Sequence, residues 1–516
     1  MKKIITTIAI TLAFIGLNNK ANAQTPTWAW AKDTTGGSIA IGGMTTDASG
    51  NIYVANPFGN IFLVKYDNTG TKIWAKSATG AQNNPPATQT YPNGIALDPS
   101  GNILVTGFFT SATMTIESTV LTRVSTVDMF VAKYDPTGNL LWAKSEAIGN
   151  VGNVGYHVAS DALGNVIVVG SYSAPTMTIG TTAFTNPCTY GGGCPSMLVV
   201  KYDGTNGAVL WAKSSFASIG TSYCYSVATD ASNNIYVGGD FSKNGTRNSI
   251  VKYNSIGDTL WTQANGGWHV TIDAAGNLYS GYDGLAGDGL VKKYNSNNGA
   301  VLWTSPATGN ADNSGVCTTT DGGGNVYYFG KFRSTSITFG TYTLTHAGTG
   351  ADDDFFIVKY DNTGTVLWAI AVGGTSWDAL NGAATDVFGN VFVGGFSLSP
   401  TLTFGTTTLT ILGAGYNVFF ARLGNLATGF NELSDNSNFN IYPNPANSII
   451  NLELKMKDGI QNTTLLITDM LGNTVKQSIL YNPTSIISVS DLAEGVYNIS
   501  LISNEGVVNK RLVIVR

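Results

Sequence analysis

Short apolar runs alternate with tight polar turns along most of this chain, and the alternation repeats. One unit begins with Asp98-Pro-Ser-Gly101-Asn102 and an apolar run to Gly107. A variable stretch follows, then Phe130-Val-Ala-Lys133-Tyr134-Asp135, Gly138 and Trp142. Its β-branched and aromatic stretches, punctuated by Gly, Pro, Asn and Asp, predict four strands at Gly94–Leu97, Asn102–Thr106, Met129–Tyr134 and Asn139–Ala143. The first half recurs at Asp47, Asp98, Asp161, Asp230, Asp273, Asp321 and Asp386, each with Asn four residues later. The second half recurs at Tyr66, Tyr134, Tyr202, Tyr253, Tyr294 and Tyr360, each followed by Trp eight or nine residues on. A period of about 56 residues marks a repeat architecture.

Four antiparallel strands per unit, seven times over, predict an all-β fold, a seven-bladed β-propeller. A parallel β-helix is the alternative, but its coils are shorter. The chain ends bear on closure. Trp30-Ala31-Lys32 matches the outer strands at Trp74 and Trp142 without a Lys-Tyr-Asp strand before it. Phe420-Ala421-Arg422-Leu423-Gly424 stands where such a strand belongs, without a Trp after it. The N-terminal outer strand is therefore expected to complete the last blade, removing two free sheet edges. The propeller is assigned residues 24–425. Strand alternation puts the short Asp and Tyr-Asp turns on one face and the connections of variable length on the other. The second, third, sixth and seventh units carry long versions, around Thr113, Thr176, Ile337 and Leu402. Function is expected on that long-loop face.

The periodicity stops after Gly424. Residues 426–438 read as a linker, and residues 439–516 as a small Ig-like β-sandwich of about seven strands. Its Tyr442-Pro443-Asn444-Pro445 segment must lie at a strand edge, because proline cannot donate to a ladder. At the other end, Lys2 and Lys3, the apolar run Ile4–Leu17 and the small residues Ala21 and Ala23 read as a signal peptide at 1–23. Cleavage is expected between Ala23 and Gln24; an uncleaved anchor is the alternative. No later apolar run reaches membrane-spanning length.

Composition narrows the partners. Charged residues make up only 11% of the chain, glycine contributes 62 residues, and the net charge is −5. No basic stripe is present for a nucleic-acid backbone. Of four cysteines, Cys188 and Cys194 bracket a glycine-rich loop suited to a local disulfide, whereas Cys224 and Cys317 read as small buried hydrophobes. The three histidines, His157, His269 and His346, have no partner motif and read as solvated or packed. Asp352-Asp353-Asp354 has calcium-ligand chemistry but reads as a solvated loop. No catalytic residue, cofactor site or metal site is assigned.

Four resemblances follow from these residues. Asp-x-x-Gly-Asn with Phe-Val-x-Lys-Tyr-Asp resembles the SBBP-type β-propeller repeats of exported bacterial proteins, over roughly residues 28–425. That resemblance implies a binding platform and no single activity. Tyr442-Pro443-Asn444-Pro445, Asp469 to Gly472, Leu492 to Tyr497 with Gly495, and Lys510-Arg511 to the end resemble the C-terminal sorting domain of type IX secretion cargo in Bacteroidetes-like bacteria. It implies the type IX machinery as partner and delivery to the surface or the medium. Arg123, Arg247 and Arg333 invite comparison with the arginines of sialidase-like propellers, but they occupy unmatched repeat positions. The Tyr-Asp-x-Thr-Gly…Trp unit is similar to the tryptophan-docking repeat of quinoprotein dehydrogenases, which have eight blades. The function read from the sequence is a surface scaffold for binding or adhesion to an unknown glycan or protein. A secreted polysaccharide hydrolase or lyase working from the same face is the alternative.

Overall fold

A computed structural model describes residues 26–33, 41–55, 61–79, 94–146, 152–186, 194–214, 222–243, 246–264, 266–282, 290–309, 313–348, 352–410, 417–424, 439–454, 463–468, 474–480, 482–503 and 506–515. All its regular structure is β. Seven sheets are built on four-stranded antiparallel meanders. Each holds one of the recurring aspartates in its first turn, so the sheets are named here by that residue. The Asp98 sheet shows the pattern, with strands Ile95–Leu97, Ile103–Phe109, Asp128–Tyr134 and Leu140–Glu146. The Asp386 sheet differs in origin. Its outer strand is Trp28–Asp33, which pairs antiparallel with Asn417–Leu423 and sets Ala31 opposite Ala421.

First strands of sequential sheets touch one another, and the contact between Gly43–Thr46 and Asp378–Thr385 joins the first sheet to the last. Packing between sheets supplies the core. Val131 and Tyr172 share one buried cluster, and Phe355 and Phe419 another.

The outer strands dock on the next sheet through tryptophan. Trp142 Nε1 donates to Gly204 O at 3.2 Å, Trp211 Nε1 to Ser255 O at 3.1 Å, and Trp303 Nε1 to Asn362 O at 3.1 Å. Trp30 repeats this across the chain ends, donating to Asn68 O at 3.1 Å. The turn glycines are what let the indoles lie down. A Cβ at Gly207 would sit 2.8 Å from Trp142 Cε3, and one at Gly70 would sit 2.8 Å from Trp30 Cη2. Both also have positive φ, which L side chains rarely adopt.

The aspartate turns are closed by their own side chains. Asp161 Oδ1 accepts from the amides of Leu163 and Asn165, and its Oδ2 accepts from Asn165 Nδ2. Lys201 reaches the same carboxylate at 2.8 Å and also donates to Ser255 O in the next sheet. Burial alone would push the Asp161 carboxyl up. The Lys201 and Asn165 hydrogen bonds and the Lys201 charge hold it below the ordinary range, as Lys133 and Asn102 do for Asp98.

The long connections do not stay open as the sequence suggested. They form hairpins at Thr113–Ile116 with Thr119–Thr122, Thr176–Ile179 with Thr182–Thr185, Ser336–Phe339 with Tyr342–Thr345, and Thr401–Phe404 with Thr407–Thr410. Their alternate apolar residues Met114, Met177, Phe339 and Phe404 are fully buried. Two hairpins extend the outer strand of the preceding sheet, pairing Ala78 with Ile116 and Ala307 with Phe339. Much of the inserted length thus covers sheet edges.

Residues 439–515 form a three-stranded and a four-stranded antiparallel sheet around a separate apolar cluster that includes Phe439, Leu452, Ile467 and Leu512.

Two expectations follow. The Trp30 indole is half-buried, packed on Phe420 at 4.9 Å between ring centroids. Trp30→Ala should therefore cost roughly 2–4 kcal/mol, below the full large-to-small range. Thermal melts measure it, and an unchanged melt would detach the chain ends from one another. The depressed carboxyls give the second. Asp98, Asp161 and Asp230 have folded pKa values below their unfolded ones, so their stabilisation is complete above about pH 4 and is lost as pH falls further. Asp386, raised mainly by burial, has the opposite sign. The melting temperature should fall from about pH 5 towards 2. Asp161→Asn should flatten that fall and cost roughly 3 kcal/mol near neutrality, by leaving Lys201 without its charge partner.

Candidate functional site: an aromatic arc on the inner strands

Bulges recur on the innermost strands. Pairing skips Tyr156 between Gly155 and His157, and Tyr225 between Cys224 and Ser226. It also skips Val316 and Asn381. All four stand five residues before the turn aspartate, and the same position in the Asp273 sheet is Trp268. A bulge frees a side chain from the ladder and re-aims it. In two consecutive sheets the bulged residue is a tyrosine, in the next the equivalent residue is Trp268, just ahead of its strand, and the rings meet. Tyr156 and Tyr225 lie 6.1 Å apart between centroids, Tyr225 and Trp268 5.2 Å, and Tyr223 stacks on Tyr225 at 5.7 Å. Tyr225 is buried, while Tyr156, Tyr223 and Trp268 keep partial exposure.

Local bonds hold the arc. Ser226 Oγ donates to Trp268 O at 2.7 Å and accepts from the Val270 amide at 2.8 Å, tying the Asp230 sheet to the Asp273 sheet. The Tyr156 hydroxyl lies 3.1 Å from Ser171 Oγ. Beside the arc stand His157 and His269, one residue further along their strands. Burial pushes both imidazoles down to about 4, and His157 lowers His269 further, so both are neutral near pH 7. The sequence separated these two histidines into different repeats; the fold brings them within electrostatic reach. His157 Nδ1 is buried without a hydrogen-bond partner.

Residues singled out from the sequence are placed as follows. Arg123 donates to Thr126 O at 2.6 Å, and Arg333 pairs with Asp353 at 2.6 Å; the Arg247 side chain lies outside the described residues. Asp352–Asp354 is not the solvated loop expected. Asp353 and Asp354 are 2% and 1% exposed, and Asp353 is neutralised by Lys331 and Arg333. Burial pushes up Asp354 and Asp378, and the charge of Asp354 adds to the rise at Asp378. Both carboxyls are buried. Among the described residues no group of three His, Cys, Asp or Glu converges on a metal position. His346 is buried, with its ring nitrogens against the carbonyls of Gly348 and Asp352. Cys194 is disulfide-bonded, Cys224 and Cys317 are free thiols, and Cys188 lies outside the described residues. So do Ala23, Gln24 and Gly472.

In the tail, Asn444 makes two bonds to the last strand. Its Nδ2 donates to Arg511 O at 2.7 Å and its Oδ1 accepts from the Val513 amide at 2.8 Å. Flanking prolines Pro443 and Pro445 follow cis peptide bonds. Tyr442 is exposed, Lys510 lies over the Phe439 ring at 5.3 Å, and Tyr497, in the strand that begins at Gly495, donates to Ala493 O at 2.8 Å.

No motif announced the arc. Its signal was positional: the residue five before each aspartate is Gly42, Asn93, Tyr156, Tyr225, Trp268, Val316 and Asn381, with the aromatics consecutive.

Comparison with known proteins adds the following. The secretion system C-terminal sorting domain matches residues 440–515, and the β-propeller repeat matches residues 86–107. An uncharacterized WD repeat-containing protein of Acanthamoeba polyphaga mimivirus is 30% identical over 208 residues, covering 36% of this chain and 15% of that protein. The chain thus matches only a small part of that relative's length. Quinohemoprotein alcohol dehydrogenase from Comamonas testosteroni is 12% identical over 79% of this chain and 78% of its own, with a TM-score of 0.40. PorZ, an essential surface component of the type IX secretion system of Porphyromonas gingivalis, is 10% identical over 93% and 82%, with a TM-score of 0.23. Scores this low carry no argument. The chain thus carries a type IX secretion sorting domain at residues 440–515 and an SBBP-type β-propeller repeat at residues 86–107.

Proposed function

We propose that this protein is an exported, surface-delivered β-propeller that binds an extracellular ligand at the end of the ring where its inner strands begin. Residues 24–425 make the seven-bladed ring, closed by the N-terminal outer strand, and residues 426–438 link it to an Ig-like sorting domain at 439–516. The signal peptide at 1–23, cut between Ala23 and Gln24, takes the chain to the periplasm. The type IX machinery then carries it across the outer membrane. A disulfide between Cys188 and Cys194 fits that oxidising route.

The cyclic contacts of the inner strands and the Trp30–Asn68 bond support the closed ring. One observation carries the binding role: aromatic rings from three sheets gather on the inner strands, and Tyr156, Tyr223 and Trp268 remain partly open to solvent around the buried Tyr225. Partly exposed aromatics clustered on a rigid scaffold favour binding. The long hairpins enter less directly than their length suggested, because their apolar residues are buried.

Export is tested by deletion. Removing residues 435–516 should leave a folded ring trapped in the periplasm of a type IX-competent host, since the tail has its own core. Truncated protein at the surface or in the medium would end the sorting assignment. A point change tests the sorting motif. Asn444→Ala removes both bonds to the last strand and should cost the tail about 1–2 kcal/mol. Surface delivery should fall with it, read by immunoblot of intact cells. The binding role is tested with the purified full chain on arrays of polysaccharides and extracellular proteins, where silence on every spot would remove it.

A further inference from the structure

The ligand class follows from the chemistry of the arc. We propose that Tyr156 and Trp268, backed by the buried Tyr225 and flanked by His157 and His269, form a binding subsite for uncharged carbohydrate rings. This deepens the binding role proposed above and rests on it.

Three observations point to a sugar. Tyr156 and Trp268 keep partial exposure on either side of the buried Tyr225, their ring centroids 6.1 and 5.2 Å from its own. A pyranose presents C–H bonds on its faces, and these carry the partial positive charge that the negative face of an aromatic ring attracts. The second observation is the lack of charge. The inner-strand stretches 153–160, 222–229 and 266–272 contain no Lys, Arg, Asp or Glu. The nearest paired charge is the carboxylate of Asp240, opposite Tyr223, so an anionic ligand would lose hydration there without a counter-charge in return. A sugar loses only hydroxyl hydrogen bonds, which neutral groups replace. The third observation supplies those groups. His157 and His269 stand one residue beyond Tyr156 and Trp268, and His157 Nδ1 is buried with no partner of its own. A neutral imidazole offers one donor and one acceptor, which suits a hydroxyl that is both.

The arc is one-sided. The equivalent positions in the Asp47, Asp321 and Asp386 sheets are Gly42, Val316 and Asn381, none of them aromatic. One sugar face would stack on the arc, while its edge hydroxyls meet the histidines or water.

The experiment uses the purified full chain with hexasaccharides of neutral hexoses in α- and β-linkages, read by saturation-transfer NMR and titration calorimetry. Heparin and polygalacturonate are the charged comparisons. At least one neutral hexasaccharide should bind, and its affinity should not fall steeply with added salt. Trp268→Ala and Tyr156→Ala should each weaken it about tenfold or more, as aromatic anchors do. Tyr156→Phe keeps the ring and should retain binding within about threefold. Leu163→Ala, a highly exposed change in the Asp161 turn, should leave binding unchanged. If Trp268→Ala fails to fold, Trp268→Phe serves instead and should weaken binding several-fold with a native melt. Binding to none of the neutral sugars overturns the proposal. So does neutral-sugar binding that survives both alanine changes in folded protein. Binding of only the charged polymers, or of a protein on the array, overturns it too, while leaving the surface-binding role intact.

Discussion

The structure depends on an indole lying flat on a glycine. At each such junction the outer-strand tryptophan of one sheet donates to the Tyr-Asp turn of the next. The turn glycine there leaves room for the ring, to within about the width of a methyl group. Hydrophobic area alone would let sheets slide across one another, because apolar attraction has no direction. The indole N–H has one. It fixes the register of neighbours at about 3 Å in the five junctions where Trp30, Trp142, Trp211, Trp261 and Trp303 make it among the described residues. Trp30 matters for this reason. It makes the same bond to Asn68 from the opposite end of the chain.

A second link runs parallel to the first, and it compensates for sequence change. The residue six after the turn aspartate is Tyr53, Tyr236, Tyr279 or Tyr327 in four sheets, and each hydroxyl donates to its aspartate at 2.9–3.1 Å. Where Leu104 or Ile167 stands instead, lysine closes to 2.8 Å on Asp98 or Asp161. With tyrosine present, Lys65 and Lys252 stand off at 3.8 Å from Asp47 and Asp230 and lie over the tyrosine ring at 4.8 Å. In the last sheet Phe392 faces Arg422, whose charge acts on the buried Asp386. One rule covers these cases. Beside the turn asparagine, the second carboxylate oxygen takes a phenol or a cation, and at Asp321 both Tyr327 and Lys359, the lysine at 3.1 Å.

This explains what the sequence disclosed. Aspartate, glycine and tryptophan recur because each answers a local demand that no other residue type meets as well, so the four-strand unit and the pairing of the chain ends were legible. The destination of the long connections was not. The stretches at 113–116 and 176–179 read only as parts of long connections, and that the first of them folds onto an outer strand is decided by a distant partner, Ala78. The buried aspartates at 353 and 354 were misread for the same reason. Their counter-charges, Lys331 and Arg333, precede them across a hairpin, and nothing local announces the pairing.

The aromatic arc was hidden by the property that makes it a candidate for function. A scaffold position repeats because the fold requires it, whereas a ligand contact differs from unit to unit. In four sheets the position five before the aspartate is bulged, and there the repeats are free to differ, since a bulged residue has no ladder partner to satisfy. Three adjacent repeats fill it with Tyr156, Tyr225 and Trp268, and others with Gly42, Val316 and Asn381. Packing alone would favour similar volumes at equivalent positions of a repeat. Adjacent aromatics set against a glycine, a valine and an asparagine depart from that, as residues chosen for a ligand contact would.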